Sequence, residues 1–314
     1  MAVQSPSISV HNLTKRFGNF TAVNNINLEV HRGEIFGFLG PNGSGKTTSI
    51  RMMLGLLQPS VGSVEVLGMD IKNNVSKIRP RIGYMSQRFS LYNDLTVMQN
   101  LRFYGAAYGL SNTDLKIKIL EALEITDLKG HEDKKTKELS GGWRQRLALS
   151  ATILHNPEIL FLDEPTAGVD PVSRRAFWDL LYQLIGEGIT VFVTTHYMDE
   201  AEHCHRLAFI QRGEIIAYGT PSEIKKENTH GTVLEIEPTN TIQAFEILKK
   251  AQTDQTIPLE EVELYGTFIH LVAPDIKNYQ KDVKHLLKQA KIKIKYKSLI
   301  EPSLEDIFIS SMKK

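Results

Sequence analysis

Apolar and polar residues alternate from Ile8 to Val10 and again from Ile26 to Val30, with turn residues between, and this period of two predicts strands. Three further runs have no polar face: Ile35-Phe36-Gly37-Phe38-Leu39, Ile159-Leu160-Phe161-Leu162 and Thr190-Val191-Phe192-Val193-Thr194-Thr195. Strands of that kind must be covered on both sides, the condition of a central, mostly parallel sheet. Ile82 to Gln87 reads as one more strand, delivering Gln87 to a loop tip, and Gly62 to Gly68 as a hairpin strand. Helical spacing runs from Thr48 to Leu57, dominates Asn93 to Lys129 through Leu115, Ile119, Ala122 and Leu123, and extends from Leu139 through Leu154. The span of Asn93 to Lys129 is a small helical insert, too short for a long coiled-coil arm.

After Thr220-Pro221-Ser222 the pattern changes. Thr232 to Ile236 and Phe268 to Val272 predict short strands, and Ile292, Ile294 and Tyr296 alternate with lysines as in a half-buried strand. Ile276, Tyr279, Val283, Leu286 and Leu287 share one helical face, and Ile242, Phe245 and Leu248 another. The expected organisation is an α/β domain over residues 7–223, with a helical subdomain at about 88–150, and a small α+β domain of ferredoxin-like order over 224–314.

Length and charge narrow the function. At 314 residues the chain exceeds one ordinary domain, and its 37 basic and 36 acidic residues nearly cancel, so no global field argues for nucleic acid. No apolar run reaches the 18 or more residues of a spanning helix, and Met1 to Val10 lacks the basic start and apolar core of a secretory signal. The single cysteine, Cys204, excludes an internal disulfide framework and has no companions at metal-site spacing.

The chemistry is concentrated at the ends of the expected strands. Gly40-Pro41-Asn42-Gly43-Ser44-Gly45-Lys46-Thr47 fits the eight-residue phosphate-loop pattern and sits between a strand and a helix, the context that the motif requires. Its glycines let backbone N–H groups curl around phosphate oxygens, the helix start adds its positive end, Lys46 reaches the β- and γ-phosphates, and the Thr47 hydroxyl ligates Mg²⁺. Asp163 and Glu164 close an apolar strand, and a pair of acids there suits an Mg²⁺ shell and the polarisation of a water, with helix capping as the structural reading. Gln87 fits orientation of water or contact with Mg²⁺, or simply an exposed polar position. His196 at the tip of a central strand fits a γ-phosphate contact or a structural role. Phe17 fits stacking on a base or a loop anchor. Ser140-Gly141-Gly142 fits a second anion site or an ordinary cap.

Taken in order, these segments resemble the ATP-binding subunits of ABC transporters over residues 7 to 223. Gly40 to Thr47 resembles Walker A, Gln87 the Q-loop, Leu139-Ser140-Gly141-Gly142 the signature, Ile159 to Asp163 Walker B, Glu164 the catalytic glutamate, Ala167-Gly168-Val169-Asp170 the D-loop and His196 the switch histidine. The resemblance implies a P-loop NTPase of ABC type, with a core sheet, an antiparallel β subdomain and a helical subdomain. It implies ATP and Mg²⁺ as ligands, with Phe17 and Val23 at the nucleotide, Gly40 through Lys46, Thr47 and Thr48 at the phosphates, and Thr47, Gln87 and Asp163 at the metal. It also implies a homodimer in which Ser140, Gly141 and Gly142 of one copy cap the ATP held by Lys46 of the other. The commonest fifth signature residue is Gln, and here it is Trp143. The Leu-Ser-Gly-Gly-Trp form, with Ser90 to Thr96 and Pro302 to Phe308, resembles ABC-2-type exporters, a group that includes drug exporters. The implied partner is an ABC-2-type permease, met through Gln87 and Phe89 to Tyr92, with the chain peripheral on the cytosolic face of the cell membrane. A soluble ABC protein acting on ribosomes or DNA, and an importer ATPase with a regulatory domain, are the alternatives. Lys288, Lys291, Lys293, Lys295 and Lys297 form a basic cluster that reads as a solvated face or as contact with anionic headgroups or a partner.

Overall fold

The three unbroken apolar runs lie side by side. In the computed structural model, which describes residues 5–87, 91–227, 233–273, 275–301 and 303–312, Thr190–Thr195 pairs in parallel with Ile35–Leu39 on one side and Ile159–Asp163 on the other. Every residue of the three strands is buried. Arg206–Gln211 and Ile82–Met85 extend the sheet in parallel, and Glu214–Gly219 adds an antiparallel edge, giving six strands. Phe192 anchors the centre, with Phe36 and Phe161 at ring distances of 5.5 and 5.6 Å.

The register decides where chemistry can occur. Leu39 is level with Thr195, Asp163 with Thr194, and Met85 with Leu162, so the segments after all four strands emerge at one edge of the sheet. Helices follow from that edge: Lys46–Met53, Gly141–Ile153 packing against Ile82–Met85, and Pro171–Gly186, which is capped by Asp170 accepting from Ser173 N at 2.9 Å. The phosphate-loop helix starts two residues before the expected Thr48 and ends before Leu57, because Gly55 takes a positive φ of 65°.

A second sheet, antiparallel, orders Phe20–Val30, Ile8–Phe17, Val61–Val66 and Met69–Asp70. Its first two strands are far longer than the alternation shows. Register shifts between Val10 and Arg16, with Asn12 and Asn25 both at φ 50°, break the period of two without breaking the pairing. Both sheets and the helix Lys46–Met53 share one apolar core, in which Ile8, Ile50 and Phe161 are fully buried. The helical insert resolves into Val97–Ala107, opened by a capping box of Thr96 and Gln99, and Asn112–Ile125, opened by Ser111. Cys204 is buried, and no described helix is long and apolar enough to cross a membrane.

The chain divides into two compact units, Met1–Pro221 and Ser222–Lys314. The second unit follows the order strand, helix, strand, strand, helix, strand, helix: Val233–Pro238, Thr241–Thr253, Glu261–Tyr265, Phe268–Val272, Ile276–Gln289, Ile294–Ile300 and Leu304–Met312. Its sheet runs Glu261–Tyr265, Phe268–Val272, Val233–Pro238, Ile294–Ile300, every pair antiparallel. Glu261–Tyr265 has no counterpart in the sequence reading, because two glutamates mask its apolar positions. Thr232, Phe89, Ser90 and Pro302 lie outside the described residues.

Candidate active site

Gly45 shows why the phosphate loop needs its glycines. Its φ is 112°, and a Cβ there would fall 2.7 Å from the Ala22 carbonyl oxygen, so no side chain fits. The loop is held from outside as well: Gly40 N donates to Thr195 O at 3.3 Å and Gly213 N to Ser44 O at 2.9 Å. Asn42 and Gly43 are exposed, Pro41, Gly45 and Thr48 half-buried, and the Ser44 hydroxyl is buried with no hydrogen-bond partner.

Three sequence-predicted residues meet around the carboxylate of a fourth, Glu164. Lys46 Nζ lies 3.2 Å from Glu164 Oε1 and also donates to Gly40 O at 2.7 Å and Pro41 O at 3.1 Å. Gln87 Nε2 donates to Glu164 Oε2 at 3.0 Å, and His196 Nδ1 stands 3.3 Å from the same oxygen. Lys46 and Glu164 are nearly sealed from solvent, with side chains 5% and 7% exposed, while Gln87 is exposed and His196 half-buried. One side of the cluster therefore faces outward, where a substrate can enter.

The cluster has a rigid base. Asp163 is 1% exposed, accepting from Thr194 Oγ1 at 2.7 Å through one oxygen and from Thr47 Oγ1 at 3.0 Å through the other. Thr194 then turns its hydroxyl and its carbonyl to Glu164 N, at 3.0 and 3.1 Å. These two acceptors hold Glu164 at φ 50°, a left-handed conformation unusual for a side chain of its size and typical of functional turns. Thr194 escaped the sequence reading, although two threonines preceding His196 on a buried strand are a visible signal. Thr47 and Asp163 offer the hard oxygen pair that suits Mg²⁺, which keeps several waters and binds through one or two protein groups plus phosphate. Among the described residues no group of three or more His, Cys, Asp or Glu could hold a metal by itself.

The remaining predicted residues divide. Phe17 is half exposed at 50%, with Lys15 Nζ 5.2 Å over its ring, and its face is open to stacking. Val23 has no exposed surface, and its side chain lies 3.3 Å from where a Cβ on Gly45 would stand, so it backs the phosphate loop. Ser140 is exposed at the start of Gly141–Ile153, and its side chain makes no capping bond. Gly142 is buried, and a Cβ there would fall 2.5 Å from Ser173 Oγ, so the helix passes close to the start of Pro171–Gly186. Among the described contacts none joins Ser140, Gly141 or Gly142 to Lys46 or Glu164.

Residues 23–167 match the family model described as ABC transporter, and residues 137–198 a model described as AAA domain, putative AbiEii toxin, Type IV TA system. Over 223 residues the chain is 50% identical to the probable multidrug ABC transporter ATP-binding protein YbhF of Escherichia coli (strain K12), covering 71% of this chain and 39% of that protein. The chain thus spans about two fifths of the length of that relative. It is 34% identical over 308 residues to the linearmycin resistance ATP-binding protein LnrL of Bacillus subtilis (strain 168), covering 96% of this chain and 97% of that protein. The dimeric post-hydrolysis structure of the ATP-binding cassette MJ0796 bound to ADP and Pi superposes with a TM-score of 0.61 at 29% identity, covering 68% of this chain and 98% of that one. The fold and site define an ATP-binding cassette. The chain belongs to the ABC transporter ATP-binding proteins.

Proposed function

We propose that this chain hydrolyses ATP to drive a separate membrane permease that exports a substrate, working as a homodimer on the cytosolic face of the membrane. The observation that carries the reading is the meeting of Lys46, Gln87 and His196 on the Glu164 carboxylate, beside the Thr47–Asp163 pair. Lys46 places its ammonium where β- and γ-phosphates lie over the glycine loop. Thr47 and Asp163 would hold Mg²⁺, which supplies charge neutralisation on the phosphates. Glu164 then accepts the proton of an attacking water, Gln87 orients that water, and His196 donates to the γ-phosphate. Little covalent chemistry is asked of the protein, so positioning dominates.

One chain carries a single copy of each motif, and the exposed start of Gly141–Ile153 is free to face the ATP of a second copy. Dimer closure would then depend on the γ-phosphate, as in other nucleotide switches. A groove of about 350 Å³ lined by Leu56, Pro80, Tyr84, Ala107, Tyr108 and His155 flanks the strand that delivers Gln87, and suits a docking helix of an ABC-2-type permease. The names of YbhF and LnrL support export of drug-like substrates.

Two measurements test the reading. Glu164→Gln is expected to lower turnover by about 100-fold or more, keep ATP affinity, and give an ATP-dependent dimer by light scattering. Near-normal hydrolysis in that variant removes Glu164 from the chemistry. Membranes containing the permease are expected to stimulate hydrolysis severalfold, whereas indifference to membranes with cosedimentation on ribosomes would favour a soluble role.

A further inference from the structure

Glu200 is a carboxylate with no assigned task. It lies on the short helix Met198–Ala201, directly after His196, and is 1% exposed. A buried carboxylate is costly unless it is paired and hydrogen-bonded. Oε1 accepts from the Thr166 hydroxyl at 2.5 Å and stands 3.6 Å from Arg174 Nε. Oε2 is buried with no hydrogen-bond partner. A fold optimised only for stability has no reason to keep such a group, so it calls for an explanation.

Its partners supply one. Thr166 lies two residues after Glu164, in a loop closed by Ala167 N donating to Glu164 O at 3.2 Å and Val169 N to Thr166 O at 3.1 Å. Arg174 sits in the first turn of Pro171–Gly186, the helix that follows the Ala167-Gly168-Val169-Asp170 segment. Its guanidinium also donates to Asp199 Oδ2 at 3.2 Å and lies 3.9 Å over the Tyr197 ring, which in turn packs 4.2 Å from His196. Three segments therefore converge on one carboxylate: the loop carrying Glu164, the helix after the Asp170 turn, and the segment carrying His196.

We propose that Glu200 is a positioning residue for ATP hydrolysis, tying the Glu164 loop through Thr166 and the Asp170 helix through Arg174 to the His196 segment. The proposal rests on the hydrolytic reading above. Glu200 acts through its neighbours Thr166 and Arg174. It acts by fixing the separation of Glu164 and His196, whose side chains stand 3.3 Å apart, and by making any movement of the Asp170 turn felt at both. Glu164 N is held at a left-handed φ by the Thr194 hydroxyl and carbonyl, and the Thr166 anchor restrains the turn that follows.

The test uses the full chain and three variants. Thr166→Val removes the hydroxyl donor at nearly constant volume, Glu200→Gln keeps an acceptor but loses the charge facing Arg174, and Glu200→Ala loses both. Thr166→Val and Glu200→Gln are each expected to lower kcat by about tenfold or more, with KM for ATP and directly measured ATP affinity unchanged, the pattern of an interaction needed only in the transition state. Their melting temperatures are expected to stay within a few degrees of wild type, and Thr166→Val combined with Glu200→Ala to be no slower than Glu200→Ala alone. Wild-type kcat in Thr166→Val and Glu200→Gln, or a loss of kcat that only follows the loss of folded protein, overturns the role of Glu200. Absence of hydrolysis in the wild-type chain would instead overturn the reading beneath it.

Discussion

His270 stands between two carboxylates, with Glu235 Oε2 3.1 Å from Nε2 and Asp306 Oδ1 3.4 Å from Nδ1. Burial lowers its pKa, yet the two acids together outweigh burial and the net direction is up. Asp306 is raised by burial but held down to about 2 by hydrogen bonds from His270, Ser303 and Tyr265. Tyr265 stacks on His270 at 4.2 Å and is itself pushed up, first by burial and then by Asp306, with Glu305 and Glu263 adding. A raised histidine contributes stability that is full below its ordinary value of 6.5 and lost as pH rises through the folded value. A depressed aspartate contributes stability that is full above its ordinary 3.8 and lost as pH falls toward about 2. Both contributions coexist between roughly pH 4 and 6.5. Above the folded value His270 is neutral and no longer balances the charge of Asp306, which weakens the tether on the helix Leu304–Met312. Hydrogen exchange in residues 304–308, corrected for the intrinsic rate, is expected to accelerate from pH 6 to 8.5. His270→Gln should flatten that dependence and lower the stability measured at pH 6. An identical slope in both proteins would refute the link.

At the scale of elements, Trp143 shows what a departure from the commonest signature does. Its ring packs 4.3 Å from His131, and the Arg146 guanidinium lies 5.0 Å over it. Arg146 Nη1 also donates to Thr126 O at 3.0 Å and Asp127 Oδ2 at 3.2 Å. Position 143 thus fastens the first turns of Gly141–Ile153 to the segment after Asn112–Ile125 by stacking rather than by an amide. Trp143→Ala is expected to cost about 1 to 3 kcal/mol in melting experiments, and to lower ATP turnover while leaving ATP binding at Lys46 unchanged. Turnover at the wild-type level would show that the stack only stabilises. The elements themselves were legible to different degrees. Buried parallel strands and the helix face of Leu115, Ile119 and Leu123 announce themselves because burial is uniform or strictly periodic. The two long strands Ile8–Phe17 and Phe20–Val30 were half visible, because bulges reset the alternation. Glu261–Tyr265 was invisible, since Glu261 and Glu263 mask its apolar positions.

For the molecule as a whole, sequence order alone determined the class of site. Gly40 to Thr47, Gln87, Asp163, Glu164 and His196 are short local patterns whose residue types answer directly to phosphate and Mg²⁺ chemistry, and each occupies the end of a strand whose apolar run is readable without coordinates. The tertiary structure decided what those patterns share. Thr47 meets Asp163 across 116 residues and Gln87 meets Glu164 across 77, because parallel pairing aligns the strand ends at one edge. It also decided the residues without a motif: Thr194 beneath Glu164, Glu200 joining three segments, and His270 between two acids. A pattern is written where neighbours along the chain act together. Burial and pairing across the sheet depend on register and packing, which no local stretch of sequence contains.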